Sequence, residues 1–380
     1  MSAVFLLLFP IFSAQFNCLG QEIGFNVAET NAVLVRRSLK KSSEFLLKWM
    51  ARKDESTSLL RDANVWQIDV HAARLFPQVV IAAHLTDPLA LDGLLSETLQ
   101  DEARLTSRIE RLPNDYDLDS GSFVRTIVDT NKVHLQASRY IARGLLHITY
   151  VLGTSPWSTR LEGLVEDLCA LAETESPFSM GPVPSGDSEV NGNLLVALIW
   201  MGQEIGDSKY IDLAYKIGDA YCLGIMPKNG GLPARSWDWT LDRAGDPSLS
   251  LDNGGLSIVE GLVMLYARGM RNEAERAAIY RPTLGHMLNV LLEYARTPGG
   301  SFYSRIRPDG QGGFLVDRKS ETDMWPRLLQ IIFEFGRLSA NSQYYRYRSC
   351  SSGCADIPIV RGNHSRYWNQ PPFAESHFAP

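Results

Sequence analysis

Acidic residues recur where polar stretches give way to long apolar runs: Asp119, Asp187 and Glu189, Asp252, and Asp323. At such a point an Asp or Glu caps a helix, accepting bonds from its free amides. If several of these helices start on one face of a fold, the same acids converge around one mouth. Two carboxylates over an apolar floor, roughly 5–9.5 Å apart, are the equipment of glycosidic chemistry, one acting as acid and one as base or nucleophile. Asp252 is the first candidate. It precedes Asn253-Gly254-Gly255, where the chain can approach a ligand closely, and it opens an apolar run whose N-terminal dipole suits a carboxylate. Glu189 and Asp187 are its candidate partners.

Long connections flank these acids. The stretch 223–252 holds Arg235, Trp237, Asp238, Trp239, Asp242 and Arg243. Connections of that length are often functional, and indole faces stack on sugar rings while charged groups bond hydroxyls. Arg235, Trp237, Asp238 and Trp239 are therefore candidate ligand contacts, or else one Trp plugs the top of a hairpin. Asn191, Asn253 and Asp323 are candidate contacts at helix starts. Glu260 falls in the middle of an apolar run on one stripe with Asn253 and Ser257; a carboxylate there needs either a structural partner or a role in the site. No Cys/His set has zinc spacing, and Asp69-x-His71 is too common a pattern to count. No metal and no cofactor are expected.

The elements that must position these residues are helical. Asn191–Ile205 carries one charge, Glu204, and is otherwise apolar or small nearly all round, as for a helix buried on every side. Gly206-Asp207 is a stop and restart signal. In the next helix Tyr210, Ile211, Ala214, Ile217 and Tyr221 form one face, and Lys209, Asp212, Lys216 and Asp219 form a wet one. The pattern recurs: Asn253-Gly254-Gly255-Leu256 matches Asn191-Gly192-Asn193-Leu194, and Leu256–Ala267 carries only Glu260. A covering helix follows at 283–295, and a third buried one at 324–336 with Pro326 in its first turn. Upstream, 30–52, 66–85, 88–108, 131–152 and 158–174 read as helices. Ser301–Ile306 and Phe314–Asp317 read as one small β-hairpin around Pro308-Asp309-Gly310. Buried helices alternating with covering ones predict an all-α, two-layer ring or array.

Composition agrees with an ordinary folded domain: 45 % hydrophobic and 21 % charged residues in 380, with net charge −6 and no basic face of the kind a nucleic-acid binder shows. The first twenty residues carry no Asp, Glu, Lys or Arg, and Ala3–Phe12 is apolar but too short to span a bilayer. Despite the missing basic n-region, 1–20 reads as a signal peptide cleaved after Gly20, which predicts a secreted or periplasmic protein without a membrane span. Residues 21–339 then form the domain and 340–380 an irregular extension. In an oxidising compartment Cys350 and Cys354 can pair, whereas Cys169 and Cys222 sit in helical patterns as buried thiols.

Four segments together resemble the six-hairpin glycosidase superfamily. They are Glu189-x-Asn191-Gly192, Gly206-Asp207-x-x-Tyr210, Leu251-Asp252-Asn253-Gly254-Gly255 with Glu260-Gly261-Leu262, and Pro298-Gly299-Gly300-Ser301-Phe302-Tyr303. The resemblance covers 188–336 and implies an (α/α) toroid, complete or incomplete, with a sugar-binding cleft at the inner-helix N-termini. It implies an oligo- or polysaccharide as ligand and, in many members, hydrolysis of glycosides; the superfamily includes secreted bacterial proteins. Two alternatives share the fold. A polysaccharide lyase would use a tyrosine as base and acid, here Tyr303 with Arg305; a non-catalytic glycan binder would keep the tryptophans without a close carboxylate pair.

Overall fold

The computed structural model describes residues 23–170, 174–175, 182–341 and 344. The predicted signal peptide, Cys350, Cys354 and nearly all of the predicted extension lie outside the described residues. Among the described residues ten helical rods follow one another: α1 (Ile23–Met50), α2 (Ile68–Leu75 running into Phe76–Thr86), α3 (Pro88–Ala90, Leu91–Leu95, Ser96–Thr106), α4 (Thr130–Arg139, Tyr140–Leu145, Leu146–Leu152), α5 (Pro156–Ala170), α6 (Ser188–Glu204), α7 (Ser208–Asp219, Ala220–Ile225, Met226–Lys228), α8 (Asn253–Asn272), α9 (Ala274–Val290, Leu291–Ala295) and α10 (Trp325–Leu338). Five of the rods contain π-helical turns, including α2 and α4.

The rods form two layers. The even-numbered helices make an inner array in which α2 packs on α4, α4 on α6, α6 on α8 and α8 on α10, while the odd-numbered helices cover it from outside. Local chemistry sets the alternation. In α6 the run Val190–Leu195 is buried throughout, and each fully buried Leu, Ile or Val contributes about 1.5–3 kcal/mol relative to exposure. Gly206 takes a positive φ of 75° and ends α6; Asp207 then accepts a bond from the Lys209 amide at 2.9 Å and starts α7. Gly192 lets the inner helices meet, since a Cβ there would overlap the backbone of Ile258 on α8.

Three details differ from the periodicity. Asp219, assigned to the wet face of α7, is buried and accepts bonds from the hydroxyl of Tyr280 and from Arg276 (3.2 Å), because α9 packs beside α7. Helix α10 is buried only along Leu328, Ile331, Ile332, Phe335 and Gly336. Its main neighbour is α8, and no comparable packing joins it to α1 or α2, so the array of described residues is an open ring. Tyr344 is buried against Phe335 and bonds Asn289 at 3.0 Å.

Short strands cap the inner-helix N-termini. Phe314–Val316 pairs with Arg305–Pro308 as the predicted hairpin, and Leu249–Ser250 adds a third strand. Ser236–Asp238 and Arg243–Asp246 form a further hairpin inside the long connection before α8. On the outside, Glu102 of α3, fully buried, receives two bonds from Arg160 of α5 (3.0 and 3.1 Å) and one from Thr106 (2.9 Å). That satisfies a charge no water reaches.

Candidate active site

A cavity of about 250 Å³ opens at the N-termini of α6 and α8, bordered by Asp187, Ser188, Glu189, Ser250, Asp252, Gly254 and Gly255, with Arg74, Arg139, Arg143 and Arg235. Its centre is an ion-pair network. Arg139 of α4 grips Glu189 with two donors (2.6 and 3.0 Å) and Asp69 of α2 with a third (2.9 Å); Arg143, one turn on, bonds Glu189 at 2.9 Å. Glu189, itself largely buried, and the neighbouring Asp69 raise the Arg139 pKa against the cost of burial. Burial, together with the charges of Arg139 and Arg74, lowers that of Arg143.

Asp187 and Asp252 meet the cavity in different states. Asp187 caps α6, accepting bonds from the amides of Glu189 (2.7 Å) and Val190 (3.4 Å). Desolvation outweighs those bonds and pushes its carboxyl above the usual range, with the Glu189 charge acting in the same direction. The tryptophan hairpin pins this turn: the Ser188 amide donates to Arg235 (2.9 Å) and the Trp237 amide to Gly186 (2.9 Å). Asp252 is exposed, and although it stands at the cap position of α8 its side chain makes no capping bond. It is held from behind, where the Leu251 amide bonds Ser304 (2.8 Å) and the Thr322 hydroxyl bonds Leu251 (2.9 Å).

Of the sequence-derived candidates, Asp187, Glu189, Asp252 and Arg235 border the cavity; Asn191, Trp237, Asp238, Trp239, Glu260, Tyr303 and Asp323 do not. Asn191 is fully buried and occupied by the backbone of Ser185 (2.6 and 3.1 Å) and by Tyr221 (3.2 Å), so it holds the turn before α6 rather than a ligand. Trp237 is buried, packed edge-on against Trp239 at 6.4 Å, as a plug of the hairpin. Asp238 accepts bonds from the amides of Thr240 and Leu241 (3.0 Å each) and closes the hairpin turn. Tyr303 bridges to Glu321, and Arg305 lies exposed on the strand beside Leu249–Ser250. Asp323 is exposed; Thr322, not Asp323, bonds the Met324 amide (3.1 Å) at the start of α10. The side chain of Asn253 lies outside the described residues. Glu260 pairs with Arg327 of α10.

Four residues at the centre escaped the sequence reading: Arg74, Arg139, Arg143 and, set aside as a metal pattern, Asp69. The available signal was Arg139-x-x-x-Arg143, two cations one turn apart on a predicted helix that the fold makes an inner one, where the ordinary expectation is apolar. One turn beyond Arg143 stands His147, whose Nδ1 faces the Arg143 carbonyl at 3.1 Å. Its ring reaches solvent but stands deep among protein atoms. That desolvation and the charge of Arg327 hold its pKa below the ordinary histidine value. Among the described residues no group of three His, Cys, Asp or Glu side chains is placed to hold a metal ion, and no helix is long and apolar enough to cross a membrane.

No family model matches the chain, and no curated protein matches its sequence. Solved structures do match. A D-mannose isomerase superposes with a TM-score of 0.56 at 12 % identity, over 81 % of this chain and 82 % of that one. The cellobiose 2-epimerase of Spirochaeta thermophila DSM 6192 gives 0.52 at 11 % identity, over 81 % of each chain. A sugar epimerase from a ruminal bacterium gives 0.50 at 11 %, over 81 % and 84 %. Identity this low carries architecture alone. Together with the two-layer helix array, these matches establish that the chain has an (α/α)-toroid fold.

Proposed function

We propose that the chain is a carbohydrate-active enzyme that hydrolyses a glycosidic bond. The observation that carries this reading is the pair Asp187 and Asp252. They come from the first turns of adjacent inner helices, border one cavity, and have opposite surroundings. Asp187, desolvated and raised, is the acid that protonates the leaving oxygen. Asp252, in solvent and free of capping, is the base or nucleophile. Of the two candidate partners of Asp252, Asp187 rather than Glu189 takes the acid role, since both Glu189 oxygens are occupied by guanidinium groups. Tyr303 and Arg305 do not border the cavity, which disfavours the lyase alternative, and the burial of Trp237, with Trp239 half-buried against it, disfavours a glycan-binding role. We further propose export, from the apolar leader.

A second reading is isomerisation or epimerisation of a reducing sugar, in which an imidazole removes the proton α to a carbonyl; His147, one turn beyond Arg143 and outside the cavity lining, is the imidazole it would use. The structural neighbours named for mannose isomerisation and cellobiose epimerisation share the fold. One panel of oligosaccharides and free sugars separates the readings. New reducing ends without an ultraviolet chromophore support hydrolysis, an unsaturated-uronate absorbance supports a lyase, a changed sugar at constant reducing ends supports isomerisation, and binding without products supports a lectin-like role.

A further inference from the structure

The arginines of the cavity exceed what the network needs. Three guanidinium groups, Arg74, Arg139 and Arg143, approach from the adjacent inner helices α2 and α4. Of the carboxylates around the cavity, two pair with them: Asp69 and Glu189 hold Arg139, and Glu189 also holds Arg143, whereas Asp187 and Asp252 make no ion pair among the described residues. Arg74 makes no ion pair among the described residues, yet it stands close enough to Arg143 to act on its charge. Arg143 itself places one of its five donors on Glu189. Arg235, exposed at the same cavity, also makes no ion pair among the described residues. Like charges held side by side at the edge of a cavity oppose one another, and an oxyanion between them removes that opposition while filling the planar donor forks.

We infer that the cavity takes a saccharide bearing an anionic group, a carboxylate or a phosphate, and that Arg74 with Arg143 receives that group. This rests on reading the cavity as a sugar site. At about 250 Å³ the cavity lies below the roughly 300–1,000 Å³ of drug-sized pockets, which suits a single ring with its charged substituent. Charge selection here also places the reacting bond, because Arg143 also holds Glu189, which lies beside Asp187 and Gly254.

The test is direct binding rather than turnover. The purified full chain is titrated calorimetrically with D-glucuronate, D-glucose 6-phosphate and D-glucose at low and moderate salt. At least one anionic sugar is expected to bind about 10- to 100-fold more tightly than glucose, with the preference shrinking as salt rises. Preference for glucuronate alone identifies the carboxylate, for the phosphate alone the phosphate, and for both the shared oxyanion chemistry. In Arg74→Gln the ratio of glucose to anion dissociation constants should fall about tenfold, and Arg74→Lys should restore part of it. Equal affinity for all three sugars, or an unchanged ratio in Arg74→Gln, overturns the inference. If neutral glycosides are cleaved as fast as uronides, the inference fails while hydrolysis stands. If glucuronate is preferred but no glycoside is cleaved, hydrolysis fails while the inference stands.

Discussion

Glu189, in the first turn of α6, lies directly against Gly254, in the first turn of α8; a Cβ on Gly254 would overlap both the Oε2 and the carboxyl carbon of Glu189. The glycine is therefore required by the ion-pair network, since Glu189 cannot yield without releasing Arg139 and Arg143. Gly254→Ala should cost about 1–3 kcal/mol of stability from overpacking and lower kcat/KM through displaced Glu189. Denaturant unfolding and kinetics on the same preparation check both effects.

Glu189→Gln should behave as loss of a positioning residue. Two guanidinium groups lose their carboxylate, at a cost of about 1.5–3 kcal/mol. With Asp187 as the acid, the residual activity keeps an alkaline limb, moved to lower pH because the Glu189 charge that helps to raise Asp187 is gone. Loss of that limb altogether would return the acid role to Glu189.

Asp252→Asn should do the reverse. The side chain is exposed and makes no capping bond, so stability should change by less than about 0.5 kcal/mol, against about 0.5–2 for a working cap. Turnover should fall by about 10²–10⁴-fold, as for a positioned acid–base group. Full turnover in this variant would remove Asp252 from the site.

Asp187 predicts a pH signature. Its carboxyl is raised in the folded state, so the folded chain holds that proton more tightly than the unfolded one. The sign follows: its contribution to stability is fully present below the unfolded value of about 3.9 and is lost as pH rises through the raised folded value. Asp187→Asn, which can still accept the Glu189 amide, should flatten the stability curve across that window. The same variant should abolish the alkaline limb of the pH–rate profile.

Away from the cavity, Glu102→Gln should strand the buried Arg160 and cost about 3–5 kcal/mol, with activity per folded molecule retained. A urea titration beside an active-site count measures this, and a loss below 1 kcal/mol would mean that water reaches the pair.

Local features made the helical order legible. The all-apolar girth of 191–205, the Gly206-Asp207 break and the single charge in 256–267 are short-range signals, and they marked α6, α7 and α8 to within a few residues. The candidate acids were legible for the same reason, since a helix start is written in its own sequence. Which of them meet was decided by tertiary structure. Asp187, Glu189 and Asp252 converge because α6 and α8 pack backbone to backbone at Gly192, whereas Asp323 sits just before α10, at the open edge of the array of described residues. Trp237 and Trp239 carry the composition of a sugar platform, but the pairing of Ser236–Asp238 with Arg243–Asp246 accompanies their packing against each other. The arginines of the cavity were hidden because an arginine on a helix is ordinarily solvated. Only the packing of α2 on α4 and of α4 on α6 brings Arg139 and Arg143 to Glu189 and sets Arg74 at the same cavity, and contacts between residues so far apart in the chain leave no periodic trace in either segment.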